Sequence, residues 1–240
     1  MTRQSKNSAR IPRPARILAK RILRRQTPVW WGNLRRRRPF SENWGFDRGV
    51  PVDRFYIERF LSRFAEEIRG RVLEVAEPLY TRQFGSSSVT SSDVVDIDAS
   101  NEAATIVADL VLPGSLPAES YDCIVVTQTL QYVDDPSTAV ANLWASLARG
   151  GTLLVTVPCL QRIDPDLPDV DRWRFTPLGL EDLVRRGCPD GEREVAGYGN
   201  VLASTAFLMG IAADELRRAE LERPDPDFPL VACARARKPA

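Results

Sequence analysis

Three acids and one polar pair stand at or just beyond the ends of apolar runs. They are Glu74 in "RVLEVA", Asp93 or Asp96 in "SDVVDID", Asp109 after "ATIVA", and Thr127–Gln128 after "CIVV". In an open parallel sheet the residues that end the strands surround the ligand crevice, at the point where the strand order reverses. An acid after the second strand suits a ribose, because one carboxylate accepts hydrogen bonds from both hydroxyls of a diol. Asp93 and Asp96 compete for that place, since the segment between Glu74 and the third run is short. Asp109 serves either a ligand or the loop before Pro113, and Glu74 is either a ligand-side acid or an exposed strand end. Asp122, one residue into its run, reads as an acceptor for backbone N–H groups at the sheet edge.

The elements that would position these residues alternate. Strand-like runs at Arg71–Ala76, Val89–Val95, Thr105–Ala108, Tyr121–Thr127 and Thr152–Pro158 are followed by Glu192–Tyr198 and Phe228–Arg237. Continuous apolar stretches such as "TLLVTV" belong to strands covered on both faces. Helical spacing is found at Pro51–Ile68, in "PSTAVANLWASLARGG" with Gly150 as its C-terminal cap, near Leu178–Arg186, and along Ala203–Leu221. The pattern predicts an α/β fold: a doubly wound, mainly parallel seven-stranded sheet with an N-terminal helical extension.

Composition sets the limits. Of 240 residues, 43% are apolar and 27% charged, and no apolar run approaches the roughly 20 residues of a membrane span. The four cysteines are scattered and histidine is absent, so no metal site is expected, and reduced thiols in the cytoplasm are the plain reading. No uninterrupted apolar stretch follows the first charges, so no secretory signal is expected. The net charge of +1 hides an asymmetry. Residues 1–40 carry thirteen Lys and Arg and no acid, leaving 20 basic against 32 acidic side chains in residues 41–240. The tail is read as partly disordered, with a short basic amphipathic helix at Ala15–Arg25. It is either a solvated arm or, through residues 15–38, a peripheral contact with the anionic inner membrane face. The acidic body argues against nucleic acid.

The run "ESYDCIVVTQTLQYVDDPSTAVANLWASLARGGTLLVTVP" resembles the fourth strand, following helix and fifth strand of class I S-adenosylmethionine-dependent methyltransferases, and "ATIVADL" resembles their third strand. The segments "FDRGVPVDRFYIERFL", "TQTLQYV", "DRWRFTP", "GYGNVLA" and "ARARK" are similar to a bacterial methyltransferase-domain subgroup found with glycosyltransferases, over roughly residues 40–238. The resemblance implies a Rossmann-like methyltransferase fold with S-adenosyl-L-methionine as cofactor. It assigns Glu74 to the methionine end, Asp93 to the ribose, Asp109 and Leu110 to the adenine, and Thr127 and Gln128 to the floor near the sulfonium. One departure matters: after the first strand "AEPLYTRQFG" supplies Ala76, Glu77, Pro78 and Leu79 where the family has glycines, and Arg82 is either a partner for the methionine carboxylate or a surface residue.

Oxygen methylation of a sugar or a glycosylated small molecule is the leading expectation, and an inactive methyltransferase-like binding module is the alternative. On the acceptor side Gln131 would orient a hydroxyl without taking its proton. Trp173 would stack on a sugar and Arg174 grip a phosphate or carboxylate, unless the pair anchors the loop beside Asp171. Without histidine a general base has to come from the carboxylates or a tyrosine, and Asp134, Asp135, Asp169 and Asp171 follow the relevant strands.

Overall fold

The computed structural model describes residues 30–85 and 87–240. The amphipathic segment Ala15–Arg25 lies outside them. Of the described residues, 30–37 belong to a unit apart from the body that starts at Arg38, and a 3-10 turn spans Gly32–Leu34.

The body is built on seven strands: β1 (Gly70–Val75), β2 (Val89–Asp96), β3 (Ile106–Val107), β4 (Tyr121–Thr127), β5 (Leu147–Pro158), β6 (Glu192–Tyr198) and β7 (Val231–Arg237). They lie in the order β3-β2-β1-β4-β5-β7-β6. The first five pair in parallel, and β7 runs antiparallel between β5 and β6. The order reverses between β1 and β4, which puts the crevice beyond their carboxyl ends.

Side chains alternate across a strand, and β4 shows what that does here. Cys123 and Val125 join one buried core, and Ile124 and Val126 join the other on the opposite face. That is why "CIVV" is apolar without interruption. One face is covered by α3 (Pro136–Ser146) and α4 (Pro177–Gly187), the other by α1 (Val52–Arg63) and α5 (Val201–Leu208). The remaining helices are short, α2 (Leu79–Phe84) and α6 (Arg218–Leu221). Side-chain caps start three of them. Asp135 accepts from Ser137 and Thr138 N–H at α3, Thr176 from Gly179 at α4, and Asn200 from Ala203 at α5.

Three element readings are corrected. The helix before β5 stops at Ser146, not at Gly150, because Leu147 turns extended, buries completely and pairs with Tyr121 of β4. The single helix expected over Ala203–Leu221 is broken after Leu208. Gly210 adopts φ 66° against the Ser41 backbone, where a side chain has no room, and a 3-10 turn at Ala213–Glu215 precedes α6. The helix from Pro51 ends at Arg63, with a 3-10 turn at Ala65–Glu67 carrying the chain to β1. No described helix is long and apolar enough to cross a membrane.

Candidate functional site

A cleft of about 560 Å³ opens where β1, β2, β3 and β4 end, bordered by Glu74, Asp96, Asp109, Leu110, Thr127 and Gln128. That volume is ordinary for a small-ligand site, for which roughly 300–1,000 Å³ is typical.

The turn after β1 solves the missing-glycine problem in its own way. Ala76 takes φ 66°, the left-handed conformation that glycine adopts without strain, and its N–H bonds to Val95 O at 3.0 Å. The chain then enters α2, whose second and third N–H groups, from Tyr80 and Thr81, reach the two carboxylate oxygens of Glu74 at 2.9 and 2.7 Å. Glu74 is 1% exposed and both oxygens are spent on this loop. Burial pushes its carboxyl above the ordinary range, with the hydrogen bonds from Thr81 and Tyr80 acting against that rise. It borders the cleft from the loop it holds.

Of the two acids weighed for the ribose, only Asp96 borders the cleft. Asp93 lies outside the cleft, because its carboxylate is drawn into a side-chain cluster on the sheet: Arg71 Nη2 donates at 2.8 Å, Thr105 Oγ1 at 3.2 Å and Tyr121 OH at 3.3 Å. Asp96 borders the cleft, accepting from Asp98 N–H at 3.0 Å and from Asn101 Nδ2 at 2.7 Å. The same Asn101 nitrogen also donates to Ala76 O at 2.7 Å, and Asn101 Oδ1 accepts from Ala103 N–H at 2.9 Å. Asp109 also borders the cleft and accepts from Val111 N–H at 3.0 Å. Asp122 accepts from Arg71 N–H at 2.8 Å, a purely structural role.

Gln128, at φ 48°, forms the floor, and its Nε2 is buried with no hydrogen-bond partner. A buried donor without an acceptor is costly unless a ligand supplies one. Acids toward β2 and β3 and apolar Val75, Val95 and Val133 suit a nucleoside carrying a polar chain, so the residues fit the expected cofactor.

Arg54 was not singled out by the sequence reading. It comes from the first turn of α1, borders the cleft, and donates from Nη1 to Tyr80 OH at 2.7 Å. Burial works against its charge, but Asp53 beside it and Tyr80 more than offset this, and its pKa is raised. Arg82, by contrast, is exposed and borders no cavity. The available signal was the "VDRF" pair, two charges in the first turn of an otherwise core-facing helix.

The loop from Cys159 to Thr176 corrects the acceptor-side expectations. Trp173 and Arg174 border neither cavity. Trp173 Nε1 donates to Val133 O at 2.8 Å, and the Arg174 guanidinium clamps Asp171 and donates to Arg162 O at 2.9 Å. Arg174 is thus paired with Asp171 as the anchor alternative has it, whereas Trp173 is tied by its Nε1 with its ring 41% exposed. Arg172, one residue earlier, does border the cleft and pairs with Asp134 at 2.6 Å. Of the acids considered as bases, Asp135 caps α3, Asp169 borders no cavity, and Asp171 is held by Arg174, whose hydrogen bond pulls its carboxyl below the ordinary range. No group of three or more metal-binding side chains is found among the described residues.

Beside the main cleft, sharing Arg54, Gln128 and Tyr132 in its wall, lies a smaller cavity of about 140 Å³. Gln131, completely buried, borders it, and so do Trp44, Phe46, Asp53, Gln161 and Asp164.

Residues 76–155 match a family model described as a methyltransferase domain. Among solved structures the chain is similar to an S-adenosylmethionine-dependent methyltransferase from Archaeoglobus fulgidus, at 13% identity and TM-score 0.53, covering 82% of this chain and 100% of that one. It is similar to the N-methyltransferase NodS from Bradyrhizobium japonicum in complex with S-adenosylhomocysteine, at 17% identity and TM-score 0.51, covering 80% and 90%. It is also similar to the [4+2]-cyclase SpnF, at 17% identity and TM-score 0.51, covering 85% and 88%. No curated protein matches the chain. At these identities the structural likeness speaks to the fold.

Proposed function

We propose that this chain is an S-adenosylmethionine-dependent methyltransferase that methylates an oxygen of a sugar or of another hydroxylated small molecule, a reading supported by the matched domain and consistent with the fold. The observation that carries the reading is the pair of adjoining cavities, the larger of cofactor size and the smaller polar. Bound S-adenosylmethionine supplies an electrophilic methyl group on sulfur, and the protein's part is alignment and exclusion of water.

In this reading Asp96 accepts from the ribose diol, Asp109 and Leu110 border the adenine, and Arg54 grips the methionine carboxylate in place of Arg82. Thr127 and Gln128 form the floor. The competing reading, a binding module closed to cofactor, rested on the turn without glycines. Since Ala76 reaches the conformation glycine usually supplies, that turn no longer favours it. Peripheral membrane contact through residues 15–38 is part of the proposal. Its support is the exposure of Trp30 and Trp31 just before the basic run Arg35–Arg38. Pelleting on anionic vesicles that is unchanged by removing residues 1–40 would sink it.

Calorimetry with S-adenosylhomocysteine tests the core of the proposal. Micromolar binding is expected. Asp96→Ala should weaken it about tenfold to a hundredfold, the worth of charge-assisted hydrogen bonds of about 1.5–3 kcal/mol, while Asp93→Ala leaves it within about threefold. No heat at millimolar ligand, or a larger loss from Asp93→Ala than from Asp96→Ala, contradicts the assignment.

A further inference from the structure

We infer that the smaller cavity seats a single hydroxylated six-membered ring, and that Asp53 takes the proton of the hydroxyl being methylated. The inference rests on the methyltransferase reading above and adds the acceptor class and the base.

Size comes first. A cavity of about 150 Å³ holds one benzene ring, and this one measures about 140 Å³. Its walls then say what kind of ring. Trp44 and Phe46 offer apolar surface from the turn at residues 41–47, which Ser41 holds together by accepting from Asn43 and Gly45 N–H at 3.0 Å each. The Arg162 guanidinium lies 3.9 Å from the Trp44 ring centre and steadies the indole.

Gln131 and Gln128 border the same cavity, and the Gln131 Oε1 acceptor and the Gln128 Nε2 donor are buried with no partner. Gln131 Nε2 is already used, donating to Gln128 O at 2.8 Å, which fixes the orientation of the side chain. A ring with neighbouring hydroxyls satisfies both orphans at once. An unsubstituted ring leaves both unpaired, at about 1–3 kcal/mol each.

The proton has few places to go, since of the two carboxylates bordering the cavity Asp164 already accepts at both oxygens, from Tyr132 OH and from Asp166 N–H. Gln128 and Gln131 cannot accept it. Burial and the adjacent Asp164 push the Tyr132 phenol up to about 12, and its OH already donates to Asp164 Oδ2 at 2.8 Å. Asp53, in the first turn of α1, borders the same cavity, with Oδ1 accepting from Arg54 N–H at 2.8 Å. Burial lifts its carboxyl above the ordinary range while the Arg54 charge pulls it back, which moves a carboxylate toward a useful base. The step balances. The hydroxyl oxygen forms a bond to the methyl carbon as its proton passes to Asp53, and the carbon–sulfur bond breaks with its electron pair on sulfur. The products are a methyl ether, S-adenosylhomocysteine and a protonated Asp53, which returns its proton to water.

The test uses the full chain saturated with S-adenosylhomocysteine and saturation-transfer NMR with three probes: methyl α-D-glucopyranoside, catechol and toluene. Transfer to the pyranoside or to catechol, but not to toluene, is expected, reduced at least about fivefold by the exposed-site variant Phe46→Ala. Labelled methyl donor should then methylate whichever ring binds. Asp53→Asn should slow that turnover at least about a hundredfold, as loss of a general base does, with S-adenosylhomocysteine affinity within about threefold of the parent. Undiminished turnover in Asp53→Asn overturns the role of Asp53. Cofactor heat without transfer to either hydroxylated ring, or binding without methylation, overturns the acceptor assignment alone. Absence of cofactor heat removes the methyltransferase reading itself, so the two failures are distinct.

Discussion

Two loops wall the main cleft, one after β1 and one after β5, and each is fixed by a single buried carboxylate. In the first, Glu74 is held by two backbone N–H groups of α2. In the second, Asp171, whose side chain is 0% exposed, is held by the Arg174 guanidinium and by Asp164 N–H at 2.9 Å. Neutral dipoles leave desolvation of Glu74 in charge, so its carboxyl is raised. A full positive charge reverses the balance for Asp171, so its carboxyl is lowered. The same geometric task, pinning a loop, is therefore done with opposite electrostatic signatures. The loop facing the cofactor is pinned without adding a net positive charge, and the outer loop can tolerate one.

The largest effect expected from breaking this comparison is at Glu74. Glu74→Ala leaves two buried N–H groups unsatisfied and should cost about 3 kcal/mol in urea unfolding, with S-adenosylhomocysteine affinity falling alongside. Arg174→Ala removes a partly exposed guanidinium whose place water can take, and the Asp164 N–H bond to Asp171 remains, so about 2 kcal/mol is expected, short of the figure for a deeply buried pair. A smaller loss at Glu74 than at Arg174 would break the contrast.

Acid should move the two in opposite directions. A raised carboxyl binds its proton more readily in the folded state, so the Glu74 contribution grows as pH falls through its raised pKa toward the unfolded value of about 4.3. The stability gap between parent and Glu74→Ala should widen over that window. A lowered carboxyl contributes fully above the unfolded value of about 3.9 and loses its contribution as pH falls through the folded one. The gap between parent and Asp171→Asn should therefore narrow below about pH 4. Urea midpoints between pH 7 and pH 3 decide this, and parallel drifts would refute it.

The smallest effect sharpens the picture of the first loop. Ala76→Gly removes a left-handed penalty of roughly 1–2 kcal/mol and adds chain entropy of roughly 0.5–1 kcal/mol to the unfolded state, so a net gain of up to about 1 kcal/mol is expected. A loss of stability would show that the methyl group of Ala76 packs usefully.

Much of the fold was legible because its signals are local. The apolar runs of β4 and β5 and the span of β6 follow from patterning along a few residues. The break at Gly210 was not, since it depends on Ser41, distant in sequence, filling the space a side chain would need. The candidate site divides in the same way. Asp96, Asp109 and Gln128 stand where strand ends put them. Asp93 was lost to Arg71, Thr105 and Tyr121, partners that only the sheet brings together. Arg54 and Asp53 reach the cavities from a helix that precedes the whole sheet, and strand-end reasoning does not look there.

Asn101 gives the cleft a fixed length. One side-chain nitrogen bridges the Ala76 carbonyl and the Asp96 carboxylate, and its oxygen is tied to Ala103. The backbone of the turn after β1 and the carboxylate that ends β2 are thus tied together across two strands. In the proposed pose the pair acts as a ruler, holding sugar and side chain at one spacing, so a cofactor analogue whose linker is one bond longer is expected to bind more weakly.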